Sequence, residues 1–178
     1  MTVDNIVLIG FMGTGKSSCG RELAYRLQWE FIEMDKDIER MAGVSIPEIF
    51  AQQGEVHFRD LETKVCRSLA QKHHTVISAG GGVIIRPENV QILRSFAFLI
   101  LLTATPEEIY QRVLYDGTEK RPLLSKPDPM REIKNLLIVR EPLYRAAADV
   151  QLKTKGKSPG EIASEIIELL RKRENLTC

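Results

Sequence analysis

The strand-length apolar run NIVLIG, residues 5–10, leads directly into GFMGTGKS, Gly10–Ser17. The second string fits G-x-x-x-x-G-K-[ST]. The segment behind it, Lys16–Leu27, has helical spacing, with Cys19, Leu23, Ala24 and Leu27 on one face. Strand, glycine-rich turn and helix in that order make a phosphate cradle. Backbone N–H groups from Gly13, Thr14, Gly15, Lys16, Ser17 and Ser18 converge on phosphate oxygens, and the helix N-terminus adds partial positive charge. In such a cradle Lys16 reaches the β- and γ-phosphates of a nucleoside triphosphate and Ser17 ligates Mg²⁺.

The rest of the chain repeats the strand–helix alternation. EFIEM (30–34), TVIS (75–78), FAFLILL (96–102) and DVQLK (149–153) read as the second to fifth strands. The fourth is apolar throughout, as a strand buried on both faces should be. Ser45 and Glu48 form a capping box around Pro47 and start a helix; a longer helical stretch covers about Glu55 to Ala70. TPEE (105–108) and SPGE (158–161) are further helix starts, the second helix running to about Arg173. Between the fourth and fifth strands lies YDGTEKRPLLSKPDP (115–129), a long charged loop of the kind that carries function. The pattern predicts an α/β fold, one domain over residues 1–178, with a mainly parallel sheet covered on both faces. Ligands then bind beyond the C-terminal strand ends.

Net charge is +1, which argues against nucleic acid or an acidic membrane as partner. No apolar run reaches the roughly 18 residues of a membrane span. MTVDNIVLIG lacks a basic leader region, so the expected location is the cytoplasm. Cys19, Cys66 and Cys178 are odd in number and widely spaced, which predicts reduced, structurally ordinary thiols. His57, His73 and His74 form no ligand set with them.

The third strand ends in Ser78, where a phosphate-binding protein often places an acid toward Mg²⁺. A serine can hold a metal-bound water but adds no charge. The nearest acids at a strand end are Glu33 and Asp35, whose i, i+2 spacing puts both on one side of an extended chain. One could face the metal and the other a substrate; a solvated acidic turn is the competing reading. Taken alone, Arg59 reads as a surface arginine and Arg140 as a surface or helix-pairing one. Arg121 lies in the long loop, where an arginine suits an anion covered during reaction. Gly80, Gly81 and Gly82 follow the third strand, at the sheet edge where ligands sit. Bare backbone there admits a small anionic acceptor, and arginines complete its site as bidentate carboxylate partners.

GFMGTGKSS, FIEMDKDIE, GEVHFRDLE, ISAGGGV, KRPLL and REPLYRAAADV occur in an order and spacing that resembles the shikimate kinase family over nearly the whole chain. The resemblance implies a three-layer α/β/α P-loop kinase fold, a five-stranded parallel sheet in the order 2-3-1-4-5 with a short lid. It implies transfer of the γ-phosphate of ATP to the 3-hydroxyl of shikimate, in aromatic amino-acid biosynthesis, with Mg²⁺. Asp35 is then the residue that orients or deprotonates the attacking hydroxyl. Arg59 and Arg140 clamp the carboxylate, and Gly80, Gly81 and Gly82 line that pocket. Arg121 comes in on a lid at about 115–127 to meet the phosphates, and the acceptor region spans about 33–62. Lys157 and Pro159 fall beside the adenine, with Arg112 the nearest candidate for an adenine-side arginine. Glu33 stands where the family usually has aspartate; one methylene longer, it could still hold a Mg²⁺-bound water, as could Ser78, but with a different geometry. A monomer is expected. Gluconate, which also offers a carboxylate and hydroxyls, and a nucleotide-dependent module without catalysis are the rival readings.

Overall fold

The computed structural model describes residues 3–116 and 128–176. Arg121, residues 117–127 of the expected lid and Cys178 lie outside the described residues. The elements in chain order are β1 (Asn5–Ile9), α1 (Lys16–Leu27), β2 (Glu30–Glu33), α2 (Met34–Ala42), α3 (Ile46–Leu69), β3 (Thr75–Ser78), α4 (Pro87–Phe96), β4 (Phe98–Thr103), α5 (Pro106–Asp116), α6 (Pro129–Ala147), β5 (Val150–Lys153) and α7 (Pro159–Leu176).

The five strands form one sheet in the order β2-β3-β1-β4-β5, parallel at every pairing. β1 is central, with Asn5 opposite Thr75 and Ile6 opposite Phe98. Successive residues of a strand face opposite sides. Val7, Ile9, Ile77, Leu99 and Leu101 accordingly join one core with Ile38, Leu61, Val65, Leu93, Val113, Ile133 and Tyr144 from α2 to α6. Ile6, Leu8, Val76, Phe98, Ile100 and Leu102 join the other, against Leu23 of α1 and Ile162 and Ile166 of α7. Ile6, Val7, Leu8 and Ile9 are fully buried, and burying each such side chain contributes about 1.5–3 kcal/mol at most. The apolar runs are therefore strands covered twice, and the three-layer architecture follows from them.

Three helices have no counterpart in the sequence reading. α2 begins immediately after β2, so EFIEM stops being strand at Glu33. α4 takes up Phe96, and the fourth strand starts two residues later than the apolar run. α6 opens at Pro129, where Asp128 accepts a hydrogen bond from the Arg131 N–H, and it carries Arg140 into the interior. The capping box is present: the Ser45 N–H donates to Glu48 Oε2 at 2.9 Å. α3 continues from there to Leu69, broken at Gly54, which has φ 80°. Tyr115 and Asp116 end α5 rather than opening the lid. Cys19 and Cys66 are free and buried, and burial pushes both thiols up to about 12, far from a reactive thiolate at neutral pH.

Candidate active site

The first chemistry-bearing element is the turn between β1 and α1. Gly13 has φ 74° and Gly15 φ 91°, a backbone region open to glycine. Gly15 serves as the cap of α1, leaving the N–H groups of its first turn for a ligand. Thr14 donates its hydroxyl to the Phe11 carbonyl at 2.7 Å, holding the turn closed. Lys16 is buried and donates to the carbonyls of Gly10 and Phe11, both at 2.9 Å. Its ammonium is thereby anchored inside the loop whose N–H groups would face phosphate.

Two cavities meet at Gly13, Lys16 and Ser17 of this loop. One, of about 490 Å³, is bounded by Gly13, Thr14, Gly15, Ser18, Lys157 and Pro159. Arg112 lines it too, donating to the Gly13 carbonyl at 3.0 Å and to Thr154 Oγ1 at 3.3 Å. Lys157 pairs with Glu165 at its rim. The other cavity, of about 270 Å³, holds Glu33, Asp35, Arg59, Glu62, Ser78 and Arg140, with Gly80, Gly81 and Gly82 along one wall. Gly13, Lys16 and Ser17 line both. A phosphoryl group held by the loop would therefore stand at the boundary between two ligand spaces.

The sequence pointed to Asp35 on extended chain. It sits instead in the first turn of α2, where a carboxylate suits the positive end of the helix. Glu33 ends β2, and both acids still reach the second cavity. Arg59 and Arg140 are not surface residues: each is 5% exposed. Arg59 is tied to Glu62 at 2.6 Å and to Glu55 at 2.8 Å. Burial pulls its pKa down, but the two carboxylates outweigh that and leave it raised. Glu62 moves up as well, because its burial outweighs the attraction of Arg59. Its Oε1 is buried without a hydrogen-bond partner.

The three glycines serve close approach rather than turn geometry. None of Gly80, Gly81 or Gly82 has positive φ. A Cβ on Gly82 would stand 2.1 Å from Arg59 Nη1, and one on Gly80 would stand 2.7 Å from Asp35 Oδ1. The loop is bare so that the functional side chains themselves can cross it. On its far side Tyr144 donates its hydroxyl to the Gly81 carbonyl, and Arg140, one helical turn earlier on α6, reaches the same oxygen at 3.5 Å.

Sequence reasoning missed Glu62, Tyr144 and Arg21. The first two had a signal: Glu62 is i+3 from Arg59, and Tyr144 is i+4 from Arg140, the spacings of helical neighbours. Arg21 bonds Glu33 across 12 residues of sequence, and only the fold brings them together.

Comparison with known proteins finds likeness along nearly the whole chain. The shikimate kinase family model covers residues 12–171. A shikimate kinase of Pelotomaculum thermopropionicum is 45% identical over 94% of this chain and 95% of its own. One from Hahella chejuensis is 42% identical over 94% of this chain and 86% of its own. The solved structure of the Acinetobacter baumannii shikimate kinase in complex with shikimate superposes with a TM-score of 0.92, at 37% identity, covering 97% of this chain and 95% of that one. Likeness of that extent along the chain means that this chain belongs to the shikimate kinase family.

Proposed function

We propose that this chain phosphorylates the 3-hydroxyl of shikimate with ATP, releasing ADP, as a step in aromatic amino-acid biosynthesis. The observation that carries the reading is the junction of the two cavities at Gly13, Lys16 and Ser17. ATP takes the cavity of Lys157 and Pro159, and shikimate takes the one with Asp35 and the two arginines. Arg59 and Arg140 clamp the ring acid's carboxylate, and the glycines let it lie close to the backbone. Asp35 aligns the attacking hydroxyl and accepts its proton. Lys16 stabilises charge on the transferring phosphoryl oxygens, and Arg121, outside the described residues, is assigned the same role. Arg112, beside Gly13, serves the nucleotide side.

Mg²⁺ fits the donor set. Ser17 Oγ lies 3.4 Å from Ser78 Oγ and donates to Glu33 Oε1, so only hard oxygen donors meet there. Ser17 would hold the ion directly, with Glu33 and Ser78 acting through water. When bound, the ion supplies charge neutralisation on the β- and γ-phosphate oxygens. The same reading takes the chain as a cytoplasmic monomer.

The test is ADP release in a coupled assay with Mg²⁺ and ATP, comparing shikimate, gluconate and no acceptor. Turnover with shikimate alone is expected. Preference for gluconate would overturn the acceptor assignment. ATP binding without turnover on either would favour the non-catalytic module.

A further inference from the structure

Glu33 divides its carboxylate between two residues of one helix. Ser17 donates its hydroxyl to Oε1, and Arg21 donates to Oε2 at 2.6 Å. Ser17 and Arg21 stand four residues apart on α1, so one helical turn presents hydroxyl and guanidinium to the end of β2 together. The guanidinium also lies over the Phe31 ring, 4.7 Å from its centre. Phe31 belongs to the same strand, two residues before Glu33. Arg21 is thus fixed to β2 twice, by a charge-assisted hydrogen bond and by a ring face.

We infer that Arg21 is a positioning residue for the divalent cation, acting through Glu33 on Ser17. A hydroxyl has one proton and two lone pairs. Giving the proton to Glu33 Oε1 points it at the carboxylate and leaves the lone pairs of Ser17 for a cation. Outer partners of a metal ligand orient it in this way and raise its affinity. A glutamate has three rotatable side-chain bonds, and holding one rotamer costs entropy. Arg21 offsets that cost by committing Oε2, which leaves Oε1 in place for the hydroxyl. The inference rests on the metal reading given above.

The test uses Mn²⁺ as a paramagnetic probe, with binding to the ADP-loaded protein read by electron paramagnetic resonance. Arg21→Gln should weaken Mn²⁺ binding about tenfold, the low end of what outer partners contribute. ADP affinity without metal and shikimate affinity should not change. Arg21→Lys should recover part of the loss. In a Glu33→Gln background, Arg21→Gln should add nothing further. The Arg21 side chain is 56% exposed, so its replacement leaves the fold standing. Unchanged Mn²⁺ affinity in Arg21→Gln, with loss in Ser17→Ala, would overturn the inference and leave the metal site intact. Unchanged affinity in Ser17→Ala as well would overturn the metal reading itself.

Discussion

Arg59 Nη1 lies 2.6 Å from Glu62 Oε2 in a part of α3 where Glu62 is fully buried. Removing one partner of a buried ion pair strands the other, at a cost of about 3–5 kcal/mol. Glu55 also holds the guanidinium at 2.8 Å and softens that loss. Glu62→Ala should therefore destabilise the protein near the lower end of that range, about 3 kcal/mol. Shikimate affinity should fall with it, because Arg59 loses its fixed direction. Urea unfolding and calorimetric titration measure the two effects. A stability change within experimental error would show that Glu55 alone suffices.

Gly82→Ala tests the close approach of Arg59 to the glycine loop. The added Cβ would meet Arg59 Nη1 at 2.1 Å and Cζ at 2.7 Å. Those atoms are the far end of a flexible side chain, so the guanidinium moves and the backbone stays. We expect acceptor affinity to fall tenfold or more, since a hydrogen bond to a charged group contributes about 1.5–3 kcal/mol. Stability should fall as well, by about 1–3 kcal/mol, because the Nη1 that must move is the atom paired with buried Glu62. Nucleotide affinity should hold. Equal losses for both ligands would mean that the loop has collapsed.

Asp35→Asn keeps the shape of the first turn of α2 and removes the carboxylate. Loss of a positioned general base lowers kcat by about 10²–10⁴. The unfolding midpoint should stay close to that of the parent. Steady-state turnover near the parent value would take Asp35 out of the proton-transfer step.

A pH dependence follows from the cap of α7. Glu161 Oε2 accepts from the Ser158 N–H and hydroxyl, both at 2.7 Å. The backbone bond, then the hydroxyl bond, hold its carboxyl below the usual range. A depressed folded-state pKa stabilises above the unfolded value, and that stabilisation is lost as pH falls through the folded one. The parent should thus exceed Glu161→Gln in thermal stability at neutral pH. The gap should close below about pH 4, where free glutamate protonates. A gap that persists in acid would assign the effect to packing rather than charge.

Local order carried most of the fold. Gly10–Ser17, the strand runs and the two helix starts at Thr105 and Ser158 were legible because each is specified by neighbours within a few residues. α2, α4 and α6 were not. Met34 and Phe96 sit at junctions where a strand signal and a helix signal overlap, and α6 follows directly on the charged, proline-rich loop; packing against the sheet decides these elements. The family resemblance supplied the strand order, which no periodicity in the chain contains.

The sequence by itself determined the phosphate loop, the strand–helix alternation and the residue types of the acceptor pocket. These depend on backbone conformation and side-chain chemistry that are local to each stretch. Tertiary structure decided which groups meet. Arg21 reaches Glu33 because α1 packs beside β2. Arg59 crosses Gly82 because α3 brings its guanidinium against that loop. Tyr144 closes on Gly81 across 63 residues of chain. Such contacts depend on distances between elements, and those distances are set only when the two faces of the sheet are packed.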